Sequence, residues 1–178
     1  MRKKRVMLKE IRTVFDLEEM RERILRKRES QKIVLRTCNT GCRARRSQKV
    51  VDSLENAIQE QGVQDTVKIK KTGCHGFCEM GPIIVVEPEN IFYQKVKPED
   101  AHEIVSQLTG GGVVERLLWK DPATKEQITL ERDLPTYKRQ KKEVTYRCGK
   151  IDPTDIEDYI ATGGYSALGK VLTSMTPA

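Results

Sequence analysis

Residues 38–47 read CNTGCRARRS, and residues 72–82 read TGCHGFCEMGP. Each stretch carries two cysteines in a C-x3-C spacing, Cys38 with Cys42 and Cys74 with Cys78, and each breaks a regular pattern on both sides. Before the first, residues 32–37 form a short β run centred on Ile33, Val34 and Leu35. After it, residues 47–61 set Val50, Val51, Leu54, Ala57 and Ile58 at helical spacing, with Gly62 as a C-terminal stop. Before the second, residues 66–71 alternate Val67 and Ile69 with lysines, the signature of a strand with one wet face. After it, residues 83–87 and 91–96 read as two strands joined by a tight turn, and residues 98–108 as a closing helix with Pro98 near its first position.

Further out, residues 13–30 show an apolar stripe of Leu17, Met20 and Ile24, with acids near the start and bases near the end, as the helix dipole favours. The predicted order is therefore α-β-α-β-β-β-α. Two strands joined by a helix make a right-handed parallel unit, and the last two make a hairpin. That order matches an α/β thioredoxin-like sandwich with an added N-terminal helix. Residues 110–112, three glycines, end it. Residues 111–150 read as an extended connector with short local structure, and residues 151–178 as helical with a break at Gly163 and Gly164.

Composition narrows the function. Apolar residues make up 37% and charged residues 33% of 178, enough for one small core. The longest apolar runs, such as residues 83–86, are too short to span a bilayer, and no apolar core follows the basic N-terminus as in a secretory signal. A cytoplasmic protein is expected, in which five cysteines point to metal or redox chemistry over structural disulfides. Residues 1–49 hold 17 Lys and Arg against 6 Asp and Glu, a basic third that suits an acidic partner, nucleic acid or a solvated helix face.

The cysteines carry the chemistry. Parallel strands end on the same edge of a sheet, so the two cysteine loops should meet there despite their distance in sequence. Four converging thiolates are what an iron–sulfur cluster requires, and four cysteines equally suit a zinc site. A disulfide fits the compartment poorly, and a thioredoxin-type redox pair would be C-x-x-C. Glycines at 41, 73, 76 and 81 let the backbone turn close to the ligands. His75 reads as a loop residue near the site, and Cys148 as a structural thiol.

Three stretches carry a resemblance: KKTGCHGFCEMGPIIVVEP at residues 70–88, VVERLLWKDPAT at residues 113–124, and RCGKIDPTDIEDYIATGGYSALGKVLTSMTP at residues 147–177. Together they resemble NADH-dehydrogenase flavoprotein subunits of the complex I NADH-binding type. They are most similar to the diaphorase subunits of electron-bifurcating, NAD-linked [FeFe] hydrogenases and formate dehydrogenases, with a thioredoxin-like [2Fe–2S] ferredoxin domain in front. The resemblance implies that Cys38, Cys42, Cys74 and Cys78 ligate a [2Fe–2S] cluster that passes electrons between a flavin–NADH module and other clusters. It implies as partners other subunits of a multi-subunit oxidoreductase, with neither nucleic acid nor membrane. Arg36, Arg43, Arg45 and Arg46 flank the first cysteine pair in sequence, and turned to the cluster edge they would present a positive rim to an acidic ferredoxin. It divides the chain into a basic lead-in and helix at 1–30, the ferredoxin domain at 31–110, the connector at 111–150, and at 151–178 the start of an FMN/NADH-binding domain. FMN, NAD and a [4Fe–4S] cluster are expected only in a longer subunit, of which this chain would be a fragment, because no G-x-G-x-x-G occurs in it. The rival expectation is a zinc-stapled module binding nucleic acid or protein.

Overall fold

The computed structural model describes residues 11–29 and 32–176, so the basic lead-in at residues 1–10 lies outside the described residues. The described chain forms two compact units. One comprises residues 32–154; the other joins residues 11–29 with residues 155–176.

The larger unit is built on a four-stranded sheet. Strand β1 (Ile33–Cys38) pairs in parallel with β2 (Val67–Thr72) and antiparallel with β3 (Ile84–Glu87), which forms a hairpin with β4 (Ile91–Tyr93). The order β2-β1-β3-β4 puts β1 in the interior of the sheet. Helix α2 (Ser47–Glu60) makes the crossover between β1 and β2, and α3 (Ala101–Thr109) follows the hairpin. The apolar stripe of α2 (Val50, Leu54, Ala57, Ile58) joins Leu35, Val67, Ile84, Val86, Tyr93 and the α3 residues Ile104 and Val105 in one core. Burying a side chain of this size is worth about 1.5–3 kcal/mol, so this layer holds the strand ends in place.

Residues 111–150, expected to be an extended connector, bury several apolar side chains. Val114, Leu117 and Leu118 enter the main core. Strands β5 (Trp119–Lys120) and β6 (Gln127–Ile128) and helix α4 (Pro135–Lys138) bring Trp119, Ile128, Leu134 and Tyr137 onto Ile83, Val85 and Phe92, the opposite face of the β3–β4 hairpin. A strand alternates its side chains between two faces, and the apolar residues on this second face of β3 need a cover that this segment supplies.

The smaller unit packs α1 (Val14–Glu29) through Leu17, Met20 and Ile24 against Ile160 of α5 (Ile156–Ala161). Arg21 Nε donates to the Ile160 carbonyl at 3.0 Å, and Arg28 pairs with the buried Asp158. Helix α6 (Ser166–Ser174) has no buried residue.

Candidate metal centre

Cys38 is the last residue of β1, and its register partner is Thr72, the last residue of β2. The ladder continues one step further, with Asn39 N–H donating to Thr72 O at 3.1 Å, so the two cysteine loops leave the sheet side by side. Cys42 follows in a 3-10 turn (Gly41–Arg45) and is buried, as is Cys38; Cys74 is half-buried and Cys78 exposed. The site therefore opens to solvent on the Cys78 side.

The two loops are shaped around sulfur. Cys74 Sγ and Cys78 Sγ stand 3.7 Å apart, too far for a disulfide and close to the ~3.8 Å edge of a tetrahedron with metal–sulfur bonds of about 2.3 Å. Gly76, at φ +86°, turns its N–H onto Cys74 Sγ at 3.3 Å, a conformation that L side chains rarely adopt. A Cβ on Gly81 would lie 2.6 Å from Cys42 Sγ, so glycine is what lets the second loop touch the first pair. Arg45 Nη1 donates to Glu79 O at 3.2 Å and ties the loops again.

The thiols feel one another. Cys42 is pushed well above the ordinary thiol range by its hydrogen bond with Cys38, by burial, and by the charges of Cys38, Cys78 and Cys74. Cys74 is raised by burial and by the neighbouring sulfurs, although the Gly76 N–H works the other way. Cys38 is lowered to about 4 by the hydrogen bond from Cys42 and those of Thr40, against burial. Crowding of this kind opposes full ionisation of the set unless positive charge sits among the sulfurs. Among the described residues no group of three or more His, Cys, Asp or Glu closes on a single-ion position. Cys74 lies beside Cys78 and Cys38 is hydrogen-bonded to Cys42, and four cysteine thiolates so placed are a donor set that would suit a [2Fe–2S] cluster.

Behind the second loop lies a buried polar layer that sequence reasoning missed. Arg36, on the interior strand β1, is 2% exposed. Its guanidinium bonds Glu131 Oε2 at 2.9 Å and the Gly149 carbonyl, and lies 2.8 Å from Glu87 Oε1 with poor alignment, a Coulombic contact more than a directed bond. The Arg36 side chain is thus spent in the interior and takes no part in a solvent-facing positive rim beside Cys38. His75 is 2% exposed, with Nε2 3.0 Å from Thr72 Oγ1 and Nδ1 3.4 Å from Glu131. Since the Thr72 hydroxyl donates to Thr37 O, Nε2–H is the donor to Thr72. Gly149, at φ +76°, backs onto the His75 ring, Ile151 O accepts from Gly73 N–H, and Lys142 Nζ donates to His75 O. Phe77, between the cysteines, packs against Phe92 and Tyr137. The available signal was a lone arginine inside the apolar run IVLRTC. Cys148, read as a structural thiol, is exposed.

The sequence profile of thioredoxin-like [2Fe-2S] ferredoxins matches residues 23–109. A 2Fe-2S ferredoxin of Clostridium pasteurianum is 36% identical over 77 residues, 43% of this chain and 76% of that protein. Another from Aquifex aeolicus (strain VF5) is 43% identical over 80 residues, 44% of this chain and 72% of that protein. The chain belongs to the thioredoxin-like [2Fe-2S] ferredoxin family. Its α/β fold with an N-terminal helix is the ferredoxin fold of that family, and its general function is ferredoxin-type electron transfer with a [2Fe-2S] cluster. A further relative lies outside the small ferredoxins: the NADP-reducing hydrogenase subunit HndC of Solidesulfovibrio fructosivorans is 58% identical over 43 residues, 24% of this chain and 9% of that protein. Among the described residues of this ferredoxin-family chain, no helix is long and apolar enough to cross a membrane.

Proposed function

We propose that Cys38, Cys42, Cys74 and Cys78 hold one [2Fe–2S] cluster, and that this chain relays electrons as part of a cytoplasmic, multi-subunit, NADH-linked oxidoreductase. The observation that carries the ligand assignment is the pairing of the thiols at the C-terminal ends of two adjacent parallel strands. Such a cluster supplies one-electron transfer. The chain's own residues do the rest. Gly76 N–H donates to Cys74 Sγ and steadies the thiolate. The sheet and α2 bury Cys38 and Cys42, while Cys78 stays open to an electron partner. Likeness to a hydrogenase subunit over 43 residues supports placement in a larger complex of hydrogenase type, and the formate dehydrogenase alternative rests on the sequence resemblance alone. There the ferredoxin domain at 31–110 and the connector at 111–150 precede a flavin domain beginning near 151, and FMN, NAD and a [4Fe–4S] cluster belong to the longer subunit.

Protein purified without oxygen should be coloured and contain about two irons and two sulfides per chain, and Cys74→Ser should lose most of both. One zinc per chain with no iron overturns the assignment.

A further inference from the structure

A groove of about 330 Å³ runs beside the metal centre, lined by Arg45, Arg46, Lys95 and Lys97 with Glu99 as the one carboxylate. Gly81 and Pro82 lie in its lining. Gly81 is also the residue whose Cα faces Cys42 Sγ with no room for a methyl between them. The groove is thus separated from one of the proposed ligands by the thickness of a single backbone. Electron transfer needs such closeness, and Gly81 supplies it without side-chain insulation.

Among the described residues, Arg46, Lys95 and Lys97 enter no ion pair, while Arg45 is anchored through Glu79 O and keeps its charge. Arg46 and Lys95 hold φ of 65° and 50°, a left-handed backbone that glycine or asparagine fills more easily. Local strain of this kind persists where the surrounding structure fixes it and marks candidate functional positions. Arg46 is moreover the N-cap residue of α2, which has no side-chain cap and no acid in its first turn. The positive end of a 14-residue helix adds to the field of the side chains.

We propose that this groove is the docking face for an acidic protein electron carrier, whose carboxylates seat among Arg45, Arg46, Lys95 and Lys97 and bring its redox centre against Gly81. The proposal rests on the cluster assignment above. A protein is favoured over a nucleic acid because the cations flank a redox ligand, and the groove lining carries no aromatic side chain on which a base could stack.

The test uses the full chain loaded with its cluster, with iron and sulfide measured first; a chain without iron overturns the cluster assignment itself and is recognised at that step. An oxidised, acidic plant-type [2Fe–2S] ferredoxin is the probe, titrated at low and high salt. The native chain should bind it with an affinity that falls steeply with salt. The triple change Arg46→Gln, Lys95→Gln, Lys97→Gln should weaken binding about tenfold or more at low salt and flatten the salt slope. Its visible spectrum and iron content should match the native chain's. Lys68→Gln, Lys120→Gln, Lys125→Gln removes the same charge elsewhere and should leave affinity within about twofold of native. Equal losses in both triples, salt-independent binding, or displacement of the probe by a single-stranded oligonucleotide overturns the proposal.

Discussion

The contact between Gly81 and Cys42 can be tested by a single methyl group. In Gly81→Ala the new Cβ would lie 2.6 Å from Cys42 Sγ and 3.3 Å from Cys78 O. Comfortable contact between heavy atoms of this size needs about 3.5–4.0 Å, so the sulfur must retreat by roughly 1 Å. A free thiol can do so by turning about χ1, and the cost to the metal-free fold is then of the order of overpacking, about 1–3 kcal/mol. A metal-bound sulfur has no such freedom, since a ligand constellation tolerates displacements of only about 0.5 Å. The variant should therefore fold yet fail to hold its metal. The assay is iron and sulfide per chain after anaerobic reconstitution, followed by the rate of iron loss to a chelator, with thermal unfolding run alongside. Gly81→Ala should lose iron at least about tenfold faster than the native chain, the rate equivalent of about 1.4 kcal/mol. Gly110→Ala, whose Cβ would meet only ordinary contacts at 3.6 Å, should behave as native. Native iron content and native chelation kinetics in Gly81→Ala would refute the idea that Cys42 is a fixed ligand pressed against this backbone.

Two further outcomes follow from the layer behind the site. Burial works to raise the Glu131 carboxyl, but the His75 contact and the charge and hydrogen bond of Arg36 outweigh it and hold it at about 2, against an ordinary 4.5. A lowered pKa gives stability that is full above pH 4.5 and is lost as pH falls through 2. Native protein should therefore exceed Glu131→Gln by roughly 3 kcal/mol at pH 7, with the gap closing across that acid window, as read by urea unfolding through the fluorescence of the sole tryptophan, Trp119. A constant gap from pH 7 to pH 2 would refute the ion-pair account. Leu134→Ala empties a fully buried position against Phe92 and Trp119 and should cost about 2–5 kcal/mol by the same measurement; a cost under about 0.5 kcal/mol would mean that residues 131–138 do not pack on the hairpin.

The sandwich and the meeting of the cysteine loops were legible because both rest on periodic signals. Val67 and Ile69 alternate, Val50, Leu54 and Ile58 recur at helical spacing, and two strand ends in parallel imply one edge. The cover formed by residues 113–138 was not legible. Trp119 closes the short run Leu117, Leu118, Trp119, and Leu134 stands alone between Asp133 and Pro135; both are buried by a surface that the hairpin presents, and neither lies in a stretch long enough to carry a period. The same holds for Gly149. Its positive φ is typical of many turn glycines, and only the fold reveals that the His75 ring occupies the space where its side chain would be.

Arg36 gives the chain a constraint of inheritance. Its guanidinium reaches a carboxylate 95 residues ahead and a carbonyl 113 residues ahead. Residues 33–109 lifted out as a redox cassette would carry a cation into an interior strand and leave both of those partners behind. Any graft, permutation or minimal version of this ferredoxin must travel with positions 131 and 149, or trade the arginine for a neutral residue first. Stretches of chain that could otherwise drift apart are thereby bound to change together.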